Sequence, residues 1–432
     1  PPGAGGAVVT SDLSLGIDLG TSGVRSAVVD PSGAVVAMAR GRYGDGTDAW
    51  RDPEGWWRGA ATCLEAQAGA LQAKGRTMAE VARIAIDGTS GSLVLTDADL
   101  QPVTRALMYS DAGFTEEAAL IATHAPDPHT ARGAGSALAR ALRLLREDTG
   151  AKARHLLHQA DFVAARLMGR GGFTDVNNAL KTGCDPEVQT WPDWMAALVP
   201  KALLGQVYLP GDAIDQVTPQ MIRRFGLSDG AVVHAGTTDS IAAFLAAAPA
   251  TSGAAVTSLG TTLAVKLYTH QRIEVPAQGL YSHRVRHGWL VGGASNTGGG
   301  VIRSVFPDDQ IAALSAEIDP TVESTLDYYP LPKPGERFPI NDPDLRPRMA
   351  PRPNDNVAFL HGLLEGIARI EKRAYEALAN AGAPYPTQVI TAGGGAKNVV
   401  WTAMRARVLG VPVVAAPTTE AAVGVARLAQ QG

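Results

Sequence analysis

The chain has 432 residues, which is too long for a single hydrophobic core of ordinary size and predicts two domains. Its 45% hydrophobic and 19% charged residues are typical of a globular protein. Its formal net charge of −4 leaves no surplus of cations for a nucleic-acid backbone. The two cysteines lack the spacing of a zinc site or of a disulfide framework.

Targeting signals are not evident in the sequence. No stretch approaches the roughly 18 apolar residues of a membrane span. Residues 1–11 do not form a secretory signal, because a positive segment followed by an apolar one is missing. We therefore expect a cytoplasmic monomer or homodimer with neither nucleic acid nor a membrane as partner.

The first half of the chain begins with two predicted β-hairpins. Gly20, Thr21, Ser22 and Gly23 form the tip of the first hairpin, and a Pro-Ser-Gly turn forms the tip of the second. The other elements follow from apolar periodicity and turn residues. In chain order we predict strands at 13–19, 24–30 and 34–39, a helix at 53–74, strands at 81–86 and 93–96, helices at 114–123, 137–148 and 160–169, and an irregular stretch at 198–214.

The second half repeats the opening pattern, since Asp18-Leu19-Gly20-Thr21-Ser22 aligns with Ser258-Leu259-Gly260-Thr261-Thr262. The repeat predicts two similar halves that face each other across a cleft. The remaining predictions are strands at 231–235, 254–259, 263–268, 388–392 and 411–415, helices at 241–248, 357–381, 397–409 and 418–430, and a Pro-rich surface loop at 325–353.

Both hairpin tips have the composition of an anion site. Glycine lets backbone N–H groups approach an anion, and the Ser and Thr hydroxyls add donors. Two such tips could hold a polyphosphate. Plain β-turns use the same residues, so this alternative stays open.

Two aspartates follow predicted strands and are candidate catalytic groups. Asp18 either accepts the N–H groups of its own turn or orients Mg²⁺ beside a phosphate, directly or through water. Asp239 is either the N-cap of the next helix, aided by Ser240, or a general base at a strand end, where α/β proteins bind their ligands. Capping and catalysis are compatible, because capping would also fix the carboxylate.

Three glycines at 393–395 lie between a strand and a helix. The segment lacks GxGxxG, and the chain has no GxxxxGK[ST], so neither a dinucleotide fingerprint nor a P-loop is present. The turn either packs the helix tightly on the strand or admits a flat base, with Asn398 and Trp401 beside it. His155 and His158 have no metal spacing, and we interpret them as surface or core residues.

Taken in order, these motifs resemble the FGGY family of carbohydrate kinases over nearly the whole chain. The family belongs to the superfamily of sugar kinases, chaperones and actin. The motifs that carry the resemblance are Gly16-Ile17-Asp18-Leu19-Gly20-Thr21-Ser22-Gly23-Val24-Arg25, Ala235-Gly236-Thr237-Thr238-Asp239-Ser240, Thr257-Ser258-Leu259-Gly260-Thr261-Thr262 and Thr391-Ala392-Gly393-Gly394-Gly395-Ala396-Lys397-Asn398.

Within that family the chain looks most like the short D-ribulose kinases of plants and cyanobacteria. Longer relatives carry a Lys and a Trp where this chain has Arg140 and Leu144. The motifs of the short type are Ile86-Asp87-Gly88-Thr89-Ser90-Gly91, Gly292-Gly293-Ala294-Ser295-Asn296, Leu326-Asp327-Tyr328-Tyr329-Pro330-Leu331-Pro332 and Gly335-Glu336-Arg337-Phe338-Pro339.

The resemblance implies an α/β fold of two ribonuclease-H-like, actin-like ATPase domains around a central cleft. Residues 1–236 would form the sugar-binding domain and residues 237–432 the nucleotide-binding domain, with the helix at 418–430 packed back on the first. The implied cosubstrate and metal are ATP and Mg²⁺, and the implied partner is a small sugar.

The resemblance also assigns roles to particular residues, with Asp239 as general base. Asp18 would act in catalysis and hold Mg²⁺ through a water molecule. The catalytic residues would be Asp239, Asp18 and Thr21; the ATP site would comprise Gly20, Thr21, Ser22, Gly260, Thr261, Thr262, Gly394, Gly395, Asn398 and Trp401; the sugar site would comprise Asp18, Ser90, Asp239 and Ser240.

Other functions remain possible at this point. A different acceptor, such as D-xylulose, L-ribulose or glycerol, would need only small changes in hydroxyl contacts. A nucleotide-dependent binding or regulatory module of the same superfamily would need an appended client-binding domain. A pseudokinase is disfavoured because Asp18, Asp239 and both tips are present.

Overall fold

The computed structural model describes residues 12–432, so the interpretation of residues 1–11 falls outside the described part of the chain. The chain divides into two compact units. The first unit contains residues 12–246 and 420–432, and the second contains residues 247–419. Each unit is built on a six-stranded mixed sheet with helices, which confirms the predicted two-domain α/β fold.

The first unit has the sheet order β3-β2-β1-β4-β10-β9. Strands β1, β4 and β10 run parallel, and the others pair antiparallel. Its elements are β1 (Leu13–Gly20), β2 (Gly23–Val29), β3 (Val35–Gly41), α1 (Pro53–Gln72), β4 (Val81–Gly88), β5 (Leu93–Thr96), α2 (Thr115–Ala122), α3 (Ala137–Glu147), β6 (His155–His158), α4 (Gln159–Met168), β7 (Phe173–Asp175), α5 (Val176–Leu180), β8 (Gln206–Tyr208), β9 (Ala213–Gln216), α6 (Pro219–Phe225), β10 (Val232–Thr238) and α7 (Asp239–Ala247).

Strand register brings aspartates to one edge of this sheet. Asp18 of β1 lies directly opposite Asp87 of β4, and Thr238 of β10 lies opposite Gly88. The chain therefore leaves β10 at Asp239 beside the ends of two neighbouring parallel strands. Carboxyl ends of parallel strands are where open α/β sheets bind ligands, so this edge positions the candidate site.

The second unit has the order β13-β14-β12-β11-β15-β16. Strand β11 pairs antiparallel with β12 and parallel with β15, as β1 does with β2 and β4. The repeat read from the sequence is therefore a repeat of topology. The elements are β11 (Ala254–Leu259), β12 (Leu263–Thr269), β13 (Tyr281–Val285), β14 (Gly288–Ser295), α8 (Gly299–Arg303), α9 (Asp308–Ala316), α10 (Asn356–Asn380), β15 (Gln388–Ala392), α11 (Val399–Leu409) and β16 (Val413–Ala415).

The last helix, α12 (Ala421–Ala429), packs on the sheet of the first unit. A Cβ atom on Gly16 of β1 would lie 2.0 Å from the carbonyl oxygen of Ala422, so the absence of a side chain there permits this close packing. A Cβ atom on Gly424 would lie 1.8 Å from the carbonyl oxygen of Ala242 in α7. All of α7 except its last residue thus belongs to the first unit, since the division falls after Ala246, whereas the sequence predicts it after residue 236.

The Pro-rich loop at 325–353 forms no helix or strand, but it is more than a surface connection. Glu336 is buried and accepts hydrogen bonds from Ser295 Oγ (2.5 Å) and from the backbone N–H of Asn296 (2.7 Å) at the end of β14. Tyr329 OH donates to the same carboxylate at 3.1 Å. Residues that carry the resemblance to the short kinases therefore fasten this loop to the sheet.

Three further features concern the whole described chain. From Asp12 onward, no helix is long and apolar enough to cross a membrane. Cys63 and Cys184 are both free and buried, consistent with the absence of a disulfide framework. His158 is buried and contacts Asp161, Thr174 and Thr182, so it is a core residue.

Candidate active site

Two carboxyl groups lie side by side at the ends of β1 and β4. Asp18 is buried, and Arg25 Nη1 donates to its Oδ2 at 3.1 Å. Burial raises the pKa of Asp18, while the guanidinium of Arg25 opposes this shift. Asp87 is fully buried, and neither of its carboxyl oxygens has a hydrogen-bond partner in residues 12–432. Burial and the charges of Asp18 and Asp239 hold the pKa of Asp87 well above its ordinary value.

Asp239 completes this group of carboxylates in the first unit. It is the first residue of α7 rather than the residue before the helix, and its Oδ1 accepts the backbone N–H of Ser240 at 2.6 Å. Its charge raises the pKa of Asp18 and of Asp87, so the three groups lie within electrostatic reach of one another. The structure thus brings together Asp18 and Asp239, which the sequence singles out, and adds Asp87.

The turn after β4 carries an unsatisfied hydroxyl group at Ser90. Gln159 Oε1 accepts from both the backbone N–H (3.0 Å) and the Oγ1 hydroxyl (2.7 Å) of Thr89, and Thr89 Oγ1 lies 2.6 Å from Ser92 Oγ. Ser90 Oγ is buried and has no hydrogen-bond partner in the described chain. Its hydroxyl is therefore not needed to satisfy the turn.

The tip of the first hairpin presents Thr21 and Ser22 to solvent. Tyr43 OH donates to the carbonyl oxygen of Gly20 at 2.5 Å, and Arg25 Nη2 donates to Ser22 Oγ at 3.3 Å. These contacts tie the tip to Tyr43 and to Arg25. The side chain of Thr21 remains exposed, as a phosphate-binding tip requires.

The tip of the second hairpin has a similar design within the second unit. Thr261 and Thr262 are exposed, and the backbone N–H of Gly260 donates to the carbonyl oxygen of Thr262 at 3.1 Å. The first two backbone N–H groups of α8 donate to carbonyl oxygens of the tip: Gly299 to Gly260 (2.9 Å) and Gly300 to Thr261 (3.0 Å). The tip is therefore anchored to the start of a helix.

The glycine turn at 393–395 combines open and tightly packed positions. A Cβ atom on Gly394 would meet nothing within 4 Å, whereas one on Gly395 would lie 2.5 Å from the side chain of Leu259. Gly394 leaves room for a ligand, and Gly395 permits packing on β11. Asn398 caps α11 by accepting the backbone N–H of Trp401 at 2.9 Å, and its Nδ2 donates to Ser315 Oγ at 2.9 Å.

The position of Trp401 corrects its proposed contact with adenine. The indole ring is 3% exposed within the core of the second unit, and Nε1 donates to the carbonyl oxygen of Leu364 at 3.0 Å. Neither ring face is free for a base. Helical periodicity explains the error, because it predicts the helix but not which side of it is covered by α10.

Arg140, where the sequence departs from longer relatives, is buried and braces the loops around the site. Its guanidinium donates to the carbonyl oxygens of Gly91 (3.0 Å), Tyr109 (2.5 Å), Asp111 (2.9 Å) and Gly135 (2.7 Å). Burial lowers its pKa, and the charge of Asp111 opposes the shift. Arg140 therefore holds the turn that contains Ser90.

Two residues at this edge were missed by sequence reasoning. Asp87 had a usable signal, because a carboxylate ends an apolar strand there just as Asp18 does. Lys181, which follows α5, had none, since its interest depends on burial. Burial lowers the pKa of the Lys181 ammonium, and the charge of Asp239 opposes the shift.

The residues at this edge are suited to a Mg²⁺ ion whose ligands come mainly from phosphate groups. In the described part of the chain, no three His, Cys, Asp or Glu residues cluster as a metal cage. Mg²⁺ in nucleotide sites commonly uses one or two protein carboxylates together with phosphates and water. Asp18 supplies hard oxygen donors at the end of a strand, beside an exposed tip, which meets this requirement.

Comparison with known proteins identifies the family. Residues 13–246 match the N-terminal domain, and residues 255–430 the C-terminal domain, of the FGGY family of carbohydrate kinases. The two matches cover most of the chain, so the chain belongs to this family and is an ATP-dependent sugar kinase.

Individual relatives are similar over almost their full length. A xylulose kinase from Bacillus subtilis is 24% identical, with 97% of this chain and 88% of that protein covered. One from Streptomyces coelicolor is 28% identical, with coverage of 93% and 84%. The crystal structure of xylulose kinase from Rhodospirillum rubrum has a TM-score of 0.80 at 22% identity, with 96% of this chain and 89% of that chain covered, and thus shares the fold.

Proposed function

We propose that this kinase phosphorylates a ketopentose, with D-ribulose as the preferred substrate and D-ribulose 5-phosphate as the product. The main support for this reaction is that Asp18 and Asp239 lie at the same edge of the sheet in the first unit. The choice of D-ribulose is supported by the resemblance of the segment from Ile86 to Gly91 to that of the short D-ribulose kinases.

In the proposed reaction Asp239 is the general base. Its carboxylate accepts the proton of the terminal sugar hydroxyl, the oxygen attacks the γ-phosphorus in line, and the bond to the β,γ-bridging oxygen breaks to release ADP. The N–H of Ser240 fixes the carboxylate at 2.6 Å. Since little covalent chemistry is required of the protein, positioning supplies most of the acceleration.

Each unit by itself offers groups suited to binding part of a nucleotide. Gly20, Thr21 and Ser22 on the first unit, and Gly260, Thr261 and Thr262 on the second, supply N–H and hydroxyl donors for phosphates. Gly394, which has open space beside it, is the position for the base, and Asn398 shapes that turn. Mg²⁺, held by Asp18 directly or through water, would neutralise phosphate charge.

D-Xylulose is the second candidate, because the relatives reported above are named xylulose kinases. D-Ribulose and D-xylulose differ only in the configuration at C3, so one hydroxyl contact decides between them.

A coupled ADP-release assay tests the proposal, with D-ribulose, D-xylulose, L-ribulose and glycerol as acceptors at saturating Mg-ATP. We expect the highest kcat/KM for D-ribulose and a single phosphomonoester at C5 by ³¹P NMR. A higher value for D-xylulose would transfer the assignment to that sugar. ADP release that no acceptor stimulates would contradict a sugar kinase and favour a nucleotide-dependent regulatory module.

A further inference from the structure

Lys181 is a half-buried cation for which the described part of the chain offers no partner. Its ammonium group forms no hydrogen bond and no ion pair with any residue between Asp12 and Gly432. Burial disfavours the charged form, and the charge of Asp239 favours it. An ammonium has three donors, and leaving them unused away from bulk water is costly. The arrangement is that of a group whose partner is a ligand.

The backbone around Lys181 is fixed on both sides. Before it, Asp175 accepts the backbone N–H groups of Asn177 (2.9 Å) and Asn178 (3.1 Å), which caps α5. After it, Thr182 Oγ1 lies 2.9 Å from His158 Nε2 in the core. Lys181 is therefore presented from a rigid support, as binding residues require.

The same support is tied to the strand that carries the base. Asn177 Nδ2 donates to Thr237 Oγ1 at 2.9 Å, and Thr237 lies on β10, two residues before Asp239. Helix α5 therefore sets the position of Lys181 relative to Asp239. The charge of Arg140, which braces the turn containing Ser90, also acts on Lys181. Lys181 thus lies within electrostatic reach of Asp239 and of Arg140.

We propose that the Lys181 ammonium binds oxygen atoms of the sugar, next to the hydroxyl that Asp239 deprotonates. The inference rests on the proposed function and adds a cationic contact to it. The carboxylates of Asp18 and Asp239 can only accept hydrogen bonds from sugar hydroxyls, whereas a ketose also offers carbonyl and hydroxyl lone pairs that need donors. Lys181 supplies those donors and offsets part of the negative charge of the site.

The test is Lys181→Met, which keeps the length of the side chain but removes its charge and its donors. Lys201→Met, which alters an exposed lysine of the first unit, is the matched control. Calorimetric titration with D-ribulose, or with whichever ketopentose the wild type phosphorylates best, measures binding without turnover. We expect a 10- to 100-fold higher Kd for Lys181→Met, the range for loss of a charged hydrogen bond. The control should bind like the wild type.

Kinetics separate this role from others. The KM for the sugar should rise with the Kd, while the dissociation constant for ATP should stay within twofold and thermal stability should not fall. An unchanged sugar Kd with a large fall in kcat would overturn the inference in favour of a contact with the transferred phosphoryl group. Loss of stability with parallel loss of both ligands would overturn it in favour of a structural role. A wild type that phosphorylates no ketopentose would instead refute the proposed function.

Discussion

Ser90→Ala separates ligand binding from fold stability more sharply than other substitutions at this site. In most turns a serine hydroxyl stabilises the backbone, so its removal weakens both function and fold. Here Thr89 is hydrogen-bonded to Gln159 and to Ser92, and Ser90 Oγ is buried without a partner among residues 12–432. Its removal should therefore cost the folded protein nothing.

The expected magnitudes follow from these contacts. A buried hydroxyl without a partner carries a desolvation penalty of about 1–3 kcal/mol, so Ser90→Ala should leave the free energy of unfolding unchanged or raise it within that range. If a sugar hydroxyl is the missing partner, loss of about 1.4 kcal/mol of binding raises the sugar KM about tenfold. The KM for ATP should not change.

Ser92→Ala is the matched control in the same turn. Ser92 Oγ lies 2.6 Å from Thr89 Oγ1 and accepts the backbone N–H of Tyr109 at 3.0 Å, so its loss should destabilise the fold by about 1–3 kcal/mol. Urea unfolding and initial-rate kinetics on both variants give the comparison. If Ser90→Ala is destabilised as much as Ser92→Ala and keeps its sugar KM, Ser90 is a turn residue and the reasoning fails.

Four further substitutions test other parts of the structure. Asp239→Asn should lower kcat by roughly 10²–10⁴-fold with ATP binding retained in calorimetry; near-normal turnover with a lower Tm would leave only a helix-terminal role. Asp18→Ala should raise the Mg²⁺ concentration needed for half-maximal rate, and an unchanged Mg²⁺ titration would remove Asp18 from the site. Trp401→Ala should cost about 3–5 kcal/mol in urea unfolding, as expected for a core position; unchanged stability with weaker ATP binding would restore the adenine contact. Arg405→Met should lower the free energy of unfolding by about 3–5 kcal/mol, because the buried carboxylate of Glu371 loses the guanidinium that donates to it at 2.6 and 2.7 Å. A loss below about 1 kcal/mol would show that this buried ion pair does not stabilise the fold as expected.

The parts of the fold that sequence predicted well have strong local signals. Strands at 93–96, 254–259 and 388–392 match the observed β5, β11 and β15 residue for residue, because apolar runs there end at turn residues. The predicted helix at 357–381 matches α10 to within one residue at each end.

Short elements whose stability comes from distant neighbours were not predictable in the same way. The stretch at 198–214, predicted as irregular, contains β8 and the start of β9. Strand β8 has three residues, and its pairing with β7 depends on a segment some 30 residues earlier in the chain. No local pattern specifies such a pairing.

The site shows the same division between local and nonlocal information. Asp18 and Asp239 were found because each ends an apolar strand, which a single stretch of sequence reveals. Arg140 and Lys181 were not assigned roles, because their environments are assembled from separate elements. The carbonyl groups around Arg140 come from three loops, and the support of Lys181 comes from α5, β6 and β10.

The charges at the sheet edge of the first unit also bear on the kind of acceptor that it suits. Asp18, Asp87 and Asp239 lie within electrostatic reach of one another, and Arg25 pairs directly with one of them. A sugar acid would bring an anion close to these carboxyl groups, and repulsion between the like charges would weaken its binding. An uncharged polyol has no such cost, because its hydroxyls can both donate to carboxylates and accept from an ammonium group. The electrostatics of this edge therefore favour a neutral sugar, and they do so independently of the family to which the chain belongs.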